Sequence, residues 1–432
     1  MEAEPFVDRP PASERPVPAG AARVAPFASA AEHAAARFEL VELRLAAALG
    51  WRREAGLLDD AGEAAARRLL ARIDHATAAE LGELAEVTGR RAAVFEARIE
   101  ASRDRGIALP LEDAFDAWRL PAIDRAIVAT LLGAACSPVI ARLLRCAGPA
   151  VEGVAAAIAP GHEGVLALDA RLAADAPLSR LALVAWQGAG GPLLSRELLA
   201  APRLVALARG VAGLDGALRG VTLQRERDPL VLGWTTPTAY HRLRGALARG
   251  NPLPVTWIAA PPGAGGSAIA ADAALSLSLP ALHVRQAAAD PAWLDALARE
   301  ALLHGAAIVA QHDGRPLEPL LRRFERLPVP LVVVDEQGGP RPALPLLHVA
   351  LPLPSAADRE TLWRRSLGTL ERDCDLGALA SALRVGAEAI DRAVAHASLV
   401  AAASDRPIAH ADLIDGLRAQ LPGALDLPEE DR

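Results

Sequence analysis

No lysine occurs among the 432 residues, and all 46 side chains counted as Lys or Arg are arginine. That absence excludes a phosphate loop completed by a lysine ammonium. Aromatic residues make up only 3% of the chain. Ala, Leu and Arg dominate instead, a composition that favours helix and reflects GC-rich coding. Cys136, Cys146 and Cys374 are too few and too widely spaced for a metal site or a disulfide framework, which fits a reducing cytoplasm. None of the ten histidines pairs with another at the helical spacing of metal ligands. No Gly-x-Ser-x-Gly or comparable nucleophile motif occurs. The N-terminus is acidic and proline-rich, unlike a signal peptide. No apolar run reaches membrane-span length: the alanine-rich stretch near Val154 is broken by Pro160, Gly161 and His162. The net charge of −7 leaves no broad basic footprint and disfavours nucleic acid as the main ligand.

What remains is a chain long enough for two or three domains, with 52% hydrophobic and 23% charged residues. Residues 1–30 repeat Pro and small residues and read as a disordered lead-in. Over 31–108, Phe38, Leu40, Val41, Leu43, Leu45 and Leu49 recur at helical spacing, followed by Leu69, Leu70, Ile73, Leu81 and Leu84. This is a helical hairpin or small bundle, with a helix end and a new cap at 74–77. Residues 109–235 hold short helices opened by Pro110, Pro121 and Pro177. With a Gly-rich hairpin at 187–191 they suit a winged-helix-like module, or a plain adaptor bundle.

After residue 250 the pattern alternates. Strand-like runs fall at 255–259, 282–285, 306–310, 331–334 and 346–351, with helix-like runs at 267–279, 291–303 and 316–326. A parallel sheet with helices on both faces is expected over 250–354. Only helices follow, at 356–367, 376–383, 388–403 and 410–420. They form a helical lid over 355–421, before an acidic tail at 422–432.

Ala260-Pro261-Pro262-Gly263-Ala264-Gly265-Gly266-Ser267 joins the first of these strands to its helix. That is the setting of a nucleoside-triphosphate loop, G-x-x-x-x-G-K-[ST]. Gly263, Gly265 and Gly266 keep the backbone open to an anion, and Ser267 offers a hydroxyl to magnesium. Gly266 stands where the lysine belongs. Coding bias accounts for Arg in place of Lys, but it leaves Gly266 unexplained. Losing such a charge-assisted contact costs about 2–3 kcal/mol in binding, so ATP with Mg2+ is expected to bind weakly if at all.

A hydrolase also needs an acidic pair after a later strand. Two frames fit. In the first, the strand at 306–310 leads into Gln311-His312, so the acids are lost unless Asp313 substitutes. In the second, the strand at 331–334 ends in Asp335-Glu336. The first leaves the right number of strands before the lid and is preferred. Asp335 and Glu336 then become ordinary strand-end acids.

The order of loop, strands and lid resembles an AAA+ ATPase core. Pro352-Leu353-Pro354-Ser355-Ala356-Ala357-Asp358-Arg359-Glu360-Thr361-Leu362-Trp363 is similar to the segment that joins the last strand to the lid in that superfamily. A narrower resemblance is carried by Ile123-Asp124-Arg125-Ala126-Ile127-Val128-Ala129-Thr130-Leu131-Leu132, Asp175-Ala176-Pro177-Leu178-Ser179-Arg180 and Pro192-Leu193-Leu194-Ser195-Arg196. It points to AAA+ proteins of phage-tail-like contractile injection systems, and the two resemblances together cover roughly residues 109–421. Those proteins carry a winged-helix-like segment and a degenerate first ATPase cassette before an intact second one. The chain stops at Arg432, just after its first lid, and so looks like the degenerate half alone. The resemblance implies protein partners: a ring oligomer, or a separate subunit with the intact cassette. It also places Arg392 near the lid position that touches phosphates. Arg322, Arg323 and Arg326 fall near an arginine-finger position, where a solvated helix face is the simpler reading. The expected function is that of a pseudo-ATPase assisting assembly or remodelling of a larger complex. The alternatives are an active ATPase using Ser267, Asp335 and Glu336, and a scaffold indifferent to nucleotide.

Overall fold

The computed structural model describes residues 24–58, 60, 63–64, 67, 81–148, 150–159, 162–187, 193, 196–227, 237–248, 255–285, 287–338, 345–370 and 372–420. The lead-in as far as residue 23, the helix boundary at 74–77, the turn at 188–191 and the acidic tail lie outside them.

Order begins before the expected helix. Ser29 caps α1 (Ala30–Glu54) by accepting the Glu32 N–H. Phe27, within the stretch read as disordered, is fully buried. Its N–H donates to Ser102 Oγ at 2.9 Å, and the Arg98 guanidinium lies 4.0 Å over its ring. Ser102 and Arg98 belong to α2 (Leu81–Asp104), so a side chain distant in sequence orders this segment.

Six helices follow: α3 (Pro110–Ala117), α4 (Ala122–Cys136), α5 (Pro138–Ala147), α6 (Ala150–Ile158), α7 (His162–Leu172) and α8 (Pro177–Arg180). They lead into an antiparallel hairpin of β1 (Val184–Gln187) and β2 (Glu197–Ala200), then α9 (Pro202–Ala208). Phe115, Trp118, Ile127, Leu132 and Leu204 form their shared core. Glu112 of α3 is 1% exposed and meets three basic side chains: Arg37, His33 at 2.9 Å and Arg125 at 3.6 Å. Burial alone would raise its pKa, but His33 and Arg37 outweigh that and hold it below 4.5. A depressed carboxylate stabilises the fold above its unfolded value and loses that contribution as pH falls through the folded one. The stability gap between the wild type and Glu112→Gln should therefore be widest above about pH 4.5 and shrink on acidification. Urea unfolding at several pH values measures it, and a gap that widens in acid contradicts the assignment.

The second half is built around one sheet. Its elements are β3 (Val221–Gln224), α10 (Pro237–Leu247), β4 (Val255–Ala259), α11 (Gly266–Leu275), β5 (Ala281–Val284), α12 (Pro291–His304), β6 (Ala307–His312), α13 (Glu318–Phe324), β7 (Leu331–Asp335) and β8 (Leu346–Ala350). The strand order is β3-β5-β6-β7-β4-β8. All neighbours are parallel except β3, which runs antiparallel on β5. Every residue of β7 is buried, as expected of a strand covered on both faces. Ile258, Val309, Val332 and Ile269 pack on one side of the sheet; Trp257, Ile308, Val333 and Leu297 pack on the other. The antiparallel edge strand β3 has no counterpart in the sequence reading. Strand β6 also runs two residues beyond its expected end, pairing Gln311 with Val334 and His312 with Asp335.

Helix α12 joins the two halves. It has Asp290 as N-cap, Pro291 in its first turn and Gly305 as a left-handed C-cap. Its carbonyl at Arg299 accepts the Trp118 indole N–H at 3.0 Å, and the Arg299 side chain reaches Leu181 O and Asp215. Glu300 and Arg203 form a buried pair at 2.6 Å. Arg323 of α13 pairs with Asp295 and donates to Arg180 O at 2.6 Å. That side chain belongs to this intrachain junction.

The lid comprises α14 (Ala356–Leu367), β9 (Arg372–Asp373), α15 (Leu376–Ala382), α16 (Ala387–Ala403), β10 (Ile408–Ala409) and α17 (His410–Gln420). Ser355 and Asp358 close a reciprocal capping box on α14. Arg359, 6% exposed, ties that helix down by donating to Pro354 O and Ala380 O. The lid core (Trp363, Ile390, Leu413) is continuous with the α11 face of the sheet.

Candidate functional site

The loop between β4 and α11 folds around two left-handed glycines, Gly263 at φ 71° and Gly265 at φ 84°. Gly265 is the N-cap of α11 and supplies no side-chain cap, so the helix presents its first N–H groups toward the loop. Ser267 Oγ is buried and has no hydrogen-bond partner among the described residues.

Gly266 is closed by packing. A Cβ there would stand 2.7 Å from Val334 Cγ1 and 3.4 Å from Ala260 Cβ. Real Cβ atoms essentially never approach so closely, so a lysine cannot be reinserted unless Val334 yields. Its glycine is matched to a β7 valine.

The two candidate acid positions lie side by side. Strand β7 separates β6 from β4, so Gln311 and His312 end the strand one place removed from the loop strand, while Asp335 ends the adjacent one. The Ala260 N–H donates to Asp335 O at 3.0 Å. The Asp335 carboxylate is 4% exposed, and its Oδ1 accepts the N–H groups of Gln337 and Gly338 at 3.1 and 3.0 Å. His312 Nδ1 stands 3.5 Å from the same oxygen, and its ring packs 5.5 Å from that of Trp257. Asp335 thus closes its own turn.

Glu336 comes closer to the loop. Its Oε2 accepts the Gly263 N–H at 3.2 Å, while Oε1 is buried with no hydrogen-bond partner among the described residues. Burial raises its pKa, the Gly263 N–H opposes that, Glu388 adds to it and Arg392 counters it. Arg392 itself is exposed and ion-paired to Glu388 one turn back along α16. Beside the loop lies a cavity of about 460 Å³ lined by Ser267, Gln311, His283, Arg285, Glu388 and Asp391, among others. No cluster of three or more His, Cys, Asp or Glu side chains able to hold a metal occurs among the described residues.

Against a magnesium nucleotide, three features of this arrangement do not fit. The cation position is packed shut, the Asp335 carboxylate is spent on a turn, and the chain's own Glu336 is bonded to a loop N–H that would meet phosphate. The Glu336 contact escaped the sequence reading. Its only signal was an acid directly after Asp335, and sequence adjacency does not reveal direction.

The strand order, glycine loop and four-helix lid define an AAA+-like P-loop α/β fold with helical lid, preceded by a helical, winged-helix-like region. Residues 16–221 match the family model "Winged helix domain, variant". Among the solved structures that resemble part of the chain are two of low identity. One is titled "Structural Basis for Katanin Self-Assembly" (15% identity, TM-score 0.38, covering 50% of this chain and 94% of that one). The other is the FIGL-1 AAA domain in complex with ADP (14% identity, TM-score 0.36, covering 48% and 88%). The fold assignment rests on the strand order rather than on these likenesses. None of the curated proteins matches the chain. No helix among the described residues is long and apolar enough to cross a membrane.

Proposed function

We propose that this chain is a degenerate AAA+ protein without ATP turnover, acting through protein contacts in the assembly or remodelling of a larger complex. The observation that carries this reading is the lack of room at Gly266, where an added Cβ would stand 2.7 Å from Val334 Cγ1. A side chain at 266 would start by running into the neighbouring strand. The turn at Asp335 supports the same reading, because it commits Oδ1 of that carboxylate to two backbone N–H groups. The sequence resemblance to AAA+ proteins of contractile injection systems suggests such a particle as the complex, with an intact AAA+ subunit or ring as partner. Nucleic acid is disfavoured by the −7 charge, and the compartment we propose is the cytoplasm.

Titration calorimetry and a phosphate-release assay test the central claim. Wild type should show neither micromolar ATP affinity nor turnover, and both together would sink the proposal. Gly266→Lys should not restore function. It should lower stability by about 1–3 kcal/mol through overpacking. Adding Val334→Ala removes the clashing methyl and should return part of that loss. If Gly266→Lys alone hydrolyses ATP, the packing argument fails.

A further inference from the structure

Three separate contacts converge on Gly263. Its N–H donates to Glu336 Oε2 at 3.2 Å. Its carbonyl accepts the Ala389 N–H from the first turn of α16 at 3.3 Å. A Cβ on Gly263 would stand 3.0 Å from Ala389 Cβ, and one on Gly386 would stand 2.2 Å from Gly263 O. The start of the lid helix is therefore seated on the loop, backbone to backbone. Glu336 reaches the loop from the end of β7. Two groups of α16, Glu388 and Arg392, act electrostatically on its carboxylate.

We propose that Glu336 is an internal latch: by accepting the Gly263 N–H, its carboxylate fixes the Gly263 backbone torsions that aim the following carbonyl at Ala389, and so locks the lid shut on the loop. The inference deepens the reading of this loop as catalytically silent and rests on it. A lone phosphate loop leaves its N–H groups for a ligand, whereas here the chain supplies a carboxyl oxygen of its own. Oε1, buried and without a hydrogen-bond partner among the described residues, adds a desolvation cost to this arrangement. Opening the lid breaks the Ala389 contact, frees the Gly263 backbone torsions and releases Glu336 to water, so the three contacts should be lost together.

Hydrogen exchange on the full chain tests the latch, with Glu336→Ala and the near-isosteric Glu336→Gln compared with wild type. Glu336→Ala should speed exchange at Gly263 and across residues 386–391 by about tenfold or more, the equivalent of 1.4 kcal/mol. Exchange in β6 should stay unchanged. Glu336→Gln keeps an acceptor oxygen and should fall between the two. If Gly263 and residues 386–391 exchange within about twofold of wild type in Glu336→Ala, the latch is wrong. Acceleration of β6 to the same degree also overturns it, because the effect is then global. ATP turnover by wild type would sink the functional reading instead, and neither exchange result depends on it.

Discussion

Glu300→Ala should destabilise the protein by about 3–5 kcal/mol, because it strands Arg203 in the junction without its partner. The Glu300 side chain is fully buried and that of Arg203 is 4% exposed. Arg203 also donates to Gly213 O at 2.7 Å, so its charge cannot leave without breaking a second contact. His304 Nε2 lies 3.2 Å from the other Glu300 oxygen. The value of the pair is conditional: two apolar residues of similar volume can match it, whereas one charge alone cannot. Replacing both, as in Arg203→Met with Glu300→Leu, should recover much of the loss. Urea unfolding followed by tryptophan fluorescence measures all three. Trp118 bonds to the same helix and should report the junction. A double variant as unstable as the single one would mean that the charges themselves stabilise the interface.

Gly386→Ala should cost at least about 3 kcal/mol, at the upper end of overpacking penalties. Its backbone, at φ −92° and ψ 172°, suits any residue, so the glycine is needed for space alone. The added carbon would meet Gly263 O at 2.2 Å, Ala264 Cα at 2.3 Å and Ala264 N at 2.6 Å. All three are backbone atoms, and no rotamer change relieves the contact. The lid must lift from the loop or α16 must start later. Gly245→Ala is the matched control, since nothing lies within 4 Å of its Cβ and it sits inside α10. It should raise stability by about 0.5–1 kcal/mol through helix propensity. Thermal unfolding of both variants checks the pair. A neutral Gly386→Ala would show that the lid is not seated on the loop.

The alternation of strand and helix after residue 250 was legible because buried parallel strands read as short apolar runs. β4 begins at Val255 and ends at Ala259, within its expected bounds, and α14 and α17 also match. Patterns of that kind depend only on neighbours along the chain. The edge strand β3 was not legible, because its identity comes from pairing Val221–Gln224 with β5. Phe27 is ordered by Ser102 and Arg98, more than seventy positions away, and no local composition encodes that.

The missing lysine was a fact of sequence alone, and it sufficed to say that the loop lacks its usual cation. Sequence also placed two acids, Asp335 and Glu336, at the end of an apolar strand. Only tertiary structure decided what these residues do. Strand order put Val334 against Gly266, turn geometry spent the Asp335 carboxylate on Gln337 and Gly338, and the reach of one side chain brought Glu336 to Gly263. The physical reason is range. Periodicity and composition report contacts within a few residues, whereas the oxygens, amides and methyls that meet this loop come from elements 68 to 126 positions further along the chain.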